Sequence, residues 1–381
     1  MRKLFFWLHL SLGVAAGAVI LVMSVTGVLL TYEKQMVAWM DTRSLPPVAP
    51  GSRLPLESLL ERSRGADGKL PSALAIPADA AGPAQVTVDR GDRGGREIRY
   101  LDPVTGNLLG GSHAGVRQFF RVVTEWHRYL GASGESRATG RSVTGAANLG
   151  FLLIVLSGLY LWLPKVWTKA SVRAIAWFRG GLSGKARDFN WHNVIGVWCF
   201  IPLFFIVLGG TVISYPWASN LVYTLTGSPL PAATPPQKVP VSQGPELAGL
   251  NQLWQRATAQ VPDWRTISLR VPTSATAPVT FVIDRGYAGQ PQKRTTLTLD
   301  RSGAIRTSET YDDMNSGRRL RTWLRFVHTG EYYGLPGQTI AGAVTAGTVA
   351  LVYTGIALAL RRLWAWRTRT TRQQVAARVS V

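Results

Sequence analysis

The chain has 381 residues, of which 46% are hydrophobic and 14 are tryptophan, and its formal net charge is +21. Its one cysteine, Cys199, excludes an internal disulfide, a C-x-x-C-H attachment site for c-type haem and an internal iron–sulfur cluster. The basic residues form no helix-turn-helix and no aromatic and basic surface of the kind that binds nucleic acid, so we expect no nucleic-acid partner.

Four charge-free stretches are each longer than the roughly 20 apolar residues that a membrane-spanning helix needs. We therefore predict spanning helices at 4–32, 142–164, 191–217 and 337–362. The first lacks a clear small-x-small cleavage site and is about twice as long as a signal-peptide core. We expect it to stay in the membrane as an anchor.

Basic residues give this membrane protein an orientation. They gather at the N-terminus, in the loop 165–190 and around the tail 363–381, and such clusters mark the cytoplasmic side. Both termini are then cytoplasmic. The two long segments 42–130 and 218–331 lie on the outer side of the membrane.

The chain also aligns with itself. HLSLGVAAGAVILVMSVTGVLLTY from His9 and HNVIGVWCFIPLFFIVLGGTVISY from His192 share His, two Gly and Tyr in ungapped register. In the outer segments VTVDRG recurs as FVIDRG, and alternating apolar residues between turn signals predict hairpin strands after a short helix. Since both halves start inside, we predict a four-helix transmembrane bundle built by parallel duplication, with two small outer α+β domains that each end in an amphipathic segment.

Four of the five histidines form two pairs in this repeat. His9 and His192 lie near the cytoplasmic ends of their helices, whereas His127 and His328 follow the outer amphipathic segments. A helix rises about 1.5 Å per residue, so roughly 33 Å of helix follows His9 before the outer side is reached. The two pairs should therefore lie near opposite faces of the bilayer, with the members of each pair facing each other across the pseudo-twofold axis.

Two opposed neutral imidazoles suit a haem iron, whereas zinc would need further ligands nearby. Gly13, Gly131 and Gly196 each follow a candidate ligand by four residues, and we predict that they leave room for a flat macrocycle. Ordinary helix packing explains these glycines equally well. His113 has no counterpart in the second half, and we expect it at the surface or facing a substrate.

These motifs together resemble a known family. LHLSLG, FFRVVTEWHRYLG, WHNVIGVW and FVHTGEYYGLPG are similar to motifs of the PepSY-associated transmembrane proteins of bacterial inner membranes, which include ferric-siderophore reductases. The resemblance covers nearly the whole chain. It implies PepSY-like periplasmic domains and two non-covalent haem b groups with axial ligands at His9, His127, His192 and His328. In place of the Thr-Gly of several family helices, this chain has Ser157-Gly158 and Gly209-Gly210.

The leading hypothesis is a transmembrane electron path from a cytoplasmic or membrane donor to a periplasmic ferric siderophore. The resemblance implies a ferric hydroxamate such as ferrioxamine, and reduction would release Fe(II). Residues that flank the outer pair, His127 and His328, are candidates for substrate contact. An aromatic belt at the membrane interface also explains the aromatic ones. These candidates are Trp126, Arg128, Tyr129, Glu331, Tyr332 and Tyr333.

Two alternatives stay open. A cytochrome-b-type quinol oxidoreductase would exchange electrons with quinone instead of a chelate. A permease or binding scaffold would use the repeat to form a substrate path. The second alternative is disfavoured because the central turns of the predicted helices carry no charged residues.

Overall fold

A computed structural model of the chain describes residues 1–65, 68–89, 96–231, 247–287 and 289–379. Parts of the predicted segments 42–130, 218–331 and 363–381 therefore lie outside the described residues. The chain forms two compact units. The helical unit comprises Met1–Glu33, Phe119–Val222 and Trp323–Val381, and the sheet unit comprises Lys34–Gln118 and Tyr223–Thr322.

Helices and strands follow one another in a pattern that is similar in the two halves of the chain. The helices are α1 (Arg2–Leu30), α2 (Glu33–Thr42), α3 (Leu56–Arg62), α4 (Ala114–Tyr129), α5 (Arg137–Trp162), α6 (Lys169–Ala176), α7 (Gly184–Ser214), α8 (Pro216–Leu225), α9 (Leu250–Gln260), α10 (Ser316–His328) and α11 (Gly334–Val379). The strands are β1 (Ala73–Pro77), β2 (Ala84–Asp89), β3 (Arg96–Leu101), β4 (Leu108–Gly111), β5 (Thr266–Arg270), β6 (Val279–Asp284), β7 (Arg294–Leu299) and β8 (Ile305–Thr310).

Four helices of the described chain are long and apolar enough to cross a membrane. They are contained in Arg2–Leu30, Gly134–Trp162, Gly184–Ser214 and Glu331–Thr368. Large apolar side chains such as Val14, Trp198 and Ile201 are exposed on their outer faces. A bilayer gives such side chains the apolar surroundings that water does not.

The four long helices pack side by side. α1 contacts α5 and α11, and α7 contacts the same two helices. Small residues permit this approach, since a Cβ on Gly347 would come within 2.8 Å of the Cys199 sulfur and one on Gly342 within 2.9 Å of Thr31. Membrane helices commonly use glycine in this way because backbone contact replaces the missing hydrophobic drive for association.

The ends of the helices differ from the predicted spans. α7 begins at Gly184 rather than at 191, so His192 lies more than two turns inside it. It ends at Ser214, and α8 starts at Pro216. α11 runs without a break into the predicted tail. Charge-free stretches mark only the part that fits the bilayer, whereas Lys, Arg and Ala are good helix formers and prolong the helix into water.

The sheet unit corrects the expectation of two separate outer domains. All eight strands form one antiparallel sheet in the order β4-β3-β2-β1-β5-β6-β7-β8. The halves join where β1 pairs with β5 over five residues, from Ala73 opposite Arg270 to Pro77 opposite Thr266. Each half thus covers the edge strand of the other, which would otherwise present unpaired backbone groups.

Helices α3 and α9 supply the apolar partners of this sheet. Leu59, Leu60 and Leu250 are buried together with the inward residues of the strands. Buried and partly buried residues alternate along β7, as the period of a strand with one covered face requires. The backbone N–H of Asn251 in α9 donates to the Glu57 carboxylate of α3 at 2.8 Å and so links the two helices.

Candidate functional site

The lower histidine pair lies within the helical unit. His9 comes from α1 and His192 from α7, and their ring centroids are 6.3 Å apart with planes inclined by 84°. On His9, Nδ1 lies 3.1 Å from the Ile154 carbonyl and 3.1 Å from the Ser157 hydroxyl, both on α5. The neighbouring helix therefore fixes the orientation of this ring.

His192 is held in the same way by α11. Its Nδ1 lies 2.9 Å from the Thr354 hydroxyl, and the Leu351 backbone is a further hydrogen-bond partner. A glycine follows each hydroxyl residue, and a Cβ there would approach the imidazole Cε1 to 3.2 Å at Gly158 and 3.3 Å at Gly355. The Nδ1–Cε1 edge of each ring thus lies against a helix that has no side chain at that point.

The upper pair repeats this arrangement near the other end of the bundle. His127 of α4 and His328 of α10 have ring centroids 6.3 Å apart and planes inclined by 57°. On His127, Nδ1 lies 3.0 Å from both the Met23 carbonyl and the Thr26 hydroxyl of α1. On His328, Nδ1 lies 2.7 Å from the Ile206 carbonyl of α7.

The environment keeps the upper histidines neutral. Burial, and then the proximity of His328, lower the pKa of His127 to about 4, and burial also lowers the pKa of His328. A neutral imidazole carries one N–H and one free lone pair. Because Nδ1 faces a backbone carbonyl in each ring, we assign the proton to Nδ1, which leaves the Nε2 lone pair available as a metal ligand.

The spacing within each pair suits two axial ligands on one metal ion. A bond from imidazole nitrogen to a metal is about 2.0 Å long, and the nitrogen lies about 1.15 Å from the ring centre, so two opposed ligands place their ring centroids about 6.3 Å apart. Within the described ranges, no group of three or more His, Cys, Asp or Glu side chains could hold a metal ion. Each site therefore offers two imidazoles, which is what a haem iron needs beyond its macrocycle.

The predicted cofactor-binding glycines lie in different surroundings. A Cβ on Gly13 would meet no described atom within 4 Å, and one on Gly196 would meet Leu351 at 3.8 Å. Gly131 does not continue a helix face, because α4 ends at Tyr129 and Gly131 turns the chain with φ +75°. The spacing of four from His127 therefore does not place Gly131 on the same helix face as that histidine, and its contact with a cofactor stays a prediction.

The predicted substrate-contact residues divide into exposed and buried ones. Trp126, Arg128 and Tyr333 are exposed and Tyr332 is partly so, whereas Tyr129 and Glu331 are each only 8% exposed. The two buried residues therefore do not fit a direct outer contact.

The fifth histidine lies in the sheet unit. His113 is exposed, and its backbone amide donates to the buried Asp41 carboxylate at 2.6 Å. Its ring Nδ1 accepts from the Val116 amide at 3.3 Å, at the start of α4. These contacts give His113 a local structural role at a helix end.

The hydroxyl partners of the histidines were missed by the sequence reasoning. Thr26, Ser157 and Thr354 each precede a glycine in a spanning helix and each contact a histidine Nδ1. The recurrence of a hydroxyl residue before glycine in three of the four long helices was the available signal.

The comparison with known proteins agrees with the helical part of this architecture. The sequence pattern of the family described as PepSY-associated TM region matches residues 6–362 of the chain. No curated protein is detectably similar to it.

Proposed function

The chain belongs to the PepSY-associated TM region family, and from that premise we propose that it is a di-haem b electron-transfer protein that reduces a ferric siderophore outside the cytoplasmic membrane. The observation that carries the proposal is the 6.3 Å separation of ring centroids in both histidine pairs. Two histidine pairs that would each hold one haem, in a bundle long enough to cross a bilayer, support an electron path through a membrane.

The residues of the chain fit the cofactor at both sites. His9 with His192 and His127 with His328 would each hold one non-covalent haem b, which supplies reversible one-electron chemistry. The protein contributes ligand orientation, since Nδ1 of His9, His127 and His328 lies against a backbone carbonyl and Nδ1 of His192 lies against the Thr354 hydroxyl. Such contacts are typical of histidines that bind a metal through the other nitrogen.

The internal similarity of the chain supports a duplication as the origin of this arrangement. Met23 lies 14 residues after His9 and Ile206 lies 14 residues after His192, and these two carbonyls contact the two upper histidines. Ile154 and Leu351 likewise each lie three residues before the hydroxyl residue at their lower histidine. Corresponding positions thus have corresponding contacts in the two halves.

The sequence supports the orientation in this proposal, and the resemblance to the family supports the substrate. We place both termini in the cytoplasm of a bacterial cell and the segments 42–130 and 218–331 in the periplasm, because the basic clusters lie on the opposite side. The substrate in this proposal is a ferric hydroxamate such as ferrioxamine, and the electron enters from a cytoplasmic or membrane donor. Reduction to Fe(II) frees the metal, since hard oxygen chelators hold Fe(III) far more strongly.

The first test is the haem content of the purified protein. A reduced-minus-oxidised optical spectrum with a pyridine haemochromogen assay should give about two b haems per chain, and about one in His9→Ala and in His328→Ala. His113→Ala is the matched control and should keep both. Absence of haem from protein made with ample haem supply would overturn the proposal.

The second test concerns the electron acceptor. Protein reduced with dithionite is mixed anaerobically with ferrioxamine or with a water-soluble quinone analogue, and reoxidation is followed optically. Rapid reoxidation by ferrioxamine and trapping of Fe(II) by a ferrous chelator support the reductase. Reoxidation by the quinone alone would instead assign the protein to quinol chemistry.

A further inference from the structure

The two histidine pairs differ in their hydroxyl partners. Ser157 and Thr354 serve the lower pair, one for each histidine, whereas Thr26 serves only His127 of the upper pair. Among the described residues, the Ile206 carbonyl is the sole hydrogen-bond partner of His328 Nδ1. The lower site thus has two hydroxyl acceptors and the upper site has one.

The missing hydroxyl has a steric cause. Thr26 lies 17 residues after His9, and the residue 17 after His192 is Gly209. A Cβ on Gly209 would come within 2.5 Å of the Leu324 carbonyl oxygen and 3.0 Å of the His328 Cβ. α10 packs so closely on α7 at this point that no side chain, and hence no hydroxyl, fits there.

Each hydroxyl has to act as an acceptor towards its histidine. Thr354 donates its hydroxyl proton to the Ala350 carbonyl at 2.8 Å, Ser157 donates to Ile154 at 3.1 Å and Thr26 donates to Val22 at 2.6 Å. The remaining lone pairs of these oxygens are available to Nδ1. The Nδ1–H of His9 and of His127 is thus shared between a carbonyl and a hydroxyl, and that of His192 bonds to the Thr354 hydroxyl.

Such an acceptor changes the ligand strength of the opposite nitrogen. Drawing the Nδ1 proton towards an acceptor makes Nε2 more basic. A more basic imidazole ligand favours ferric over ferrous iron, and hydrogen bonds to the ligands of a haem are one of the means by which proteins set its potential. The site with more acceptors is then harder to reduce.

Resting on the proposed function, we propose that Ser157 and Thr354 are positioning residues that keep the lower pair at a lower reduction potential than the upper pair, and so direct electrons from the cytoplasmic to the outer side. The short contact of His328 with the Ile206 carbonyl offsets part of the difference in potential between the two sites. The effect of the hydroxyls can be separated from the effect of this carbonyl, because removal of a hydroxyl leaves the carbonyl in place.

The test is a potentiometric titration of the purified two-haem protein, followed by optical spectra. His9→Ala keeps only the upper site and His328→Ala keeps only the lower site, so these variants show which of the two redox transitions belongs to which site. Ser157→Ala and Thr354→Val should each shift the one-electron reduction equilibrium of the lower site towards the reduced form by about two- to tenfold, the factor that one net hydrogen bond supplies. Thr26→Val should shift the upper site by a similar factor and leave the lower one unchanged.

Two further variants separate hydroxyl chemistry from packing. Thr348→Val removes another buried hydroxyl of α11, which among the described residues bonds only to the Val344 carbonyl of the same helix, and should move neither transition. Thr354→Ser keeps the hydroxyl and should retain the potential of the unsubstituted protein.

The outcomes distinguish this inference from the proposed function. Two haems per chain with unshifted transitions in Ser157→Ala and Thr354→Val, or a lower site that is easier to reduce than the upper one, would overturn the inference alone. Loss of the lower haem in both Ser157→Ala and Thr354→Val, with retention of that haem in Thr354→Ser and Thr348→Val, would overturn the inference. The hydroxyls would then serve to hold the haem and not to set its reduction potential. An unsubstituted protein that binds no haem would overturn the proposed function itself.

Discussion

Gly209→Ala should disrupt the upper histidine pair while sparing the lower one. The added methyl would lie 2.5 Å from the Leu324 carbonyl oxygen. An ordinary carbon to oxygen contact is about 3.3 Å, so the backbone of α10 has to retreat by about 0.8 Å. His328 is carried by the same helix, four residues beyond Leu324, and moves with it.

The expected magnitude follows from the cost of overpacking. Extra methylene groups in a packed interior typically cost about 1–3 kcal/mol. Because every 1.4 kcal/mol is tenfold, haem affinity at the upper pair should fall by about five- to 140-fold. The lower pair should keep its affinity, since neither His9 nor His192 contacts α10 through a hydrogen bond in the described chain.

The assay compares haem content and thermal unfolding in detergent with those of Gly150→Ala. A Cβ on Gly150 meets only Leu12 Cδ2 at 3.9 Å, which is an ordinary contact, so the same substitution in the same bundle is accommodated there. Alanine is the better helix former by about 1 kcal/mol, and the control should be at least as stable as the unsubstituted protein. Two haems with undiminished affinity and an unchanged unfolding temperature in Gly209→Ala would refute the packing argument.

Two predictions concern the sheet unit. Ala75→Cys with Ser268→Cys, in a Cys199→Ala background, should form a disulfide on mild oxidation because these residues pair directly across β1 and β5. Ala75→Cys with Val282→Cys is the control and should form none, since Val282 lies one strand further away. A gel-shift assay under non-reducing conditions distinguishes the two outcomes. Burial, and then the Asp41 carboxylate, raise the pKa of Tyr100 to about 12 from an ordinary value of 10.0. The neutral phenol therefore stabilises the fold fully below pH 10, and this contribution should be lost as the pH rises from 10 towards 12, when the unfolded chain ionises first. Denaturant unfolding of the full chain at a series of pH values measures this loss of unfolding free energy. In the control Tyr100→Phe the free energy should fall less between pH 10 and 12, and a fall as steep as that of the unsubstituted chain would contradict the assignment.

The sequence contains enough information for the helices and the histidine pairs but not for the way the outer halves join. Charge-free length marks a spanning helix directly, and the repeat register places His9 opposite His192. The pairing of β1 with β5 joins strands that are nearly 200 residues apart in the sequence. The alternation of apolar residues in LAIPA and TISLR does not show whether such a strand lies at the edge of a sheet or pairs with another strand. The strands were therefore predictable, whereas the single sheet was not.

The hydroxyl partners of the histidines were not predictable from the sequence for a different reason. Ser157 and Thr354 look like ordinary small residues of membrane helices, which often bond back to their own helix, and both do so. Only the three-dimensional approach of a neighbouring ring shows that the same oxygen also faces an imidazole. Gly209 illustrates the converse, since its departure from Thr-Gly carries no visible meaning until α10 is seen to pack on it.

The contacts of the four histidines explain how two similar halves can build two sites with different hydroxyl partners. His9 is held by α5 and His127 by α1, both in the first half, while His192 is held by α11 and His328 by α7, both in the second. Each half therefore supplies one fully anchored ligand to each pair, and a pair is completed only when the halves associate. In an identical pair of halves both sites would be symmetric. A substitution in one half, such as glycine at the position that corresponds to Thr26, changes one ligand of one site and leaves the other site intact. Divergence between two similar halves is thus sufficient to make the two histidine sites differ, and under the proposed function a lower potential at the lower site would favour electron transfer towards the upper one.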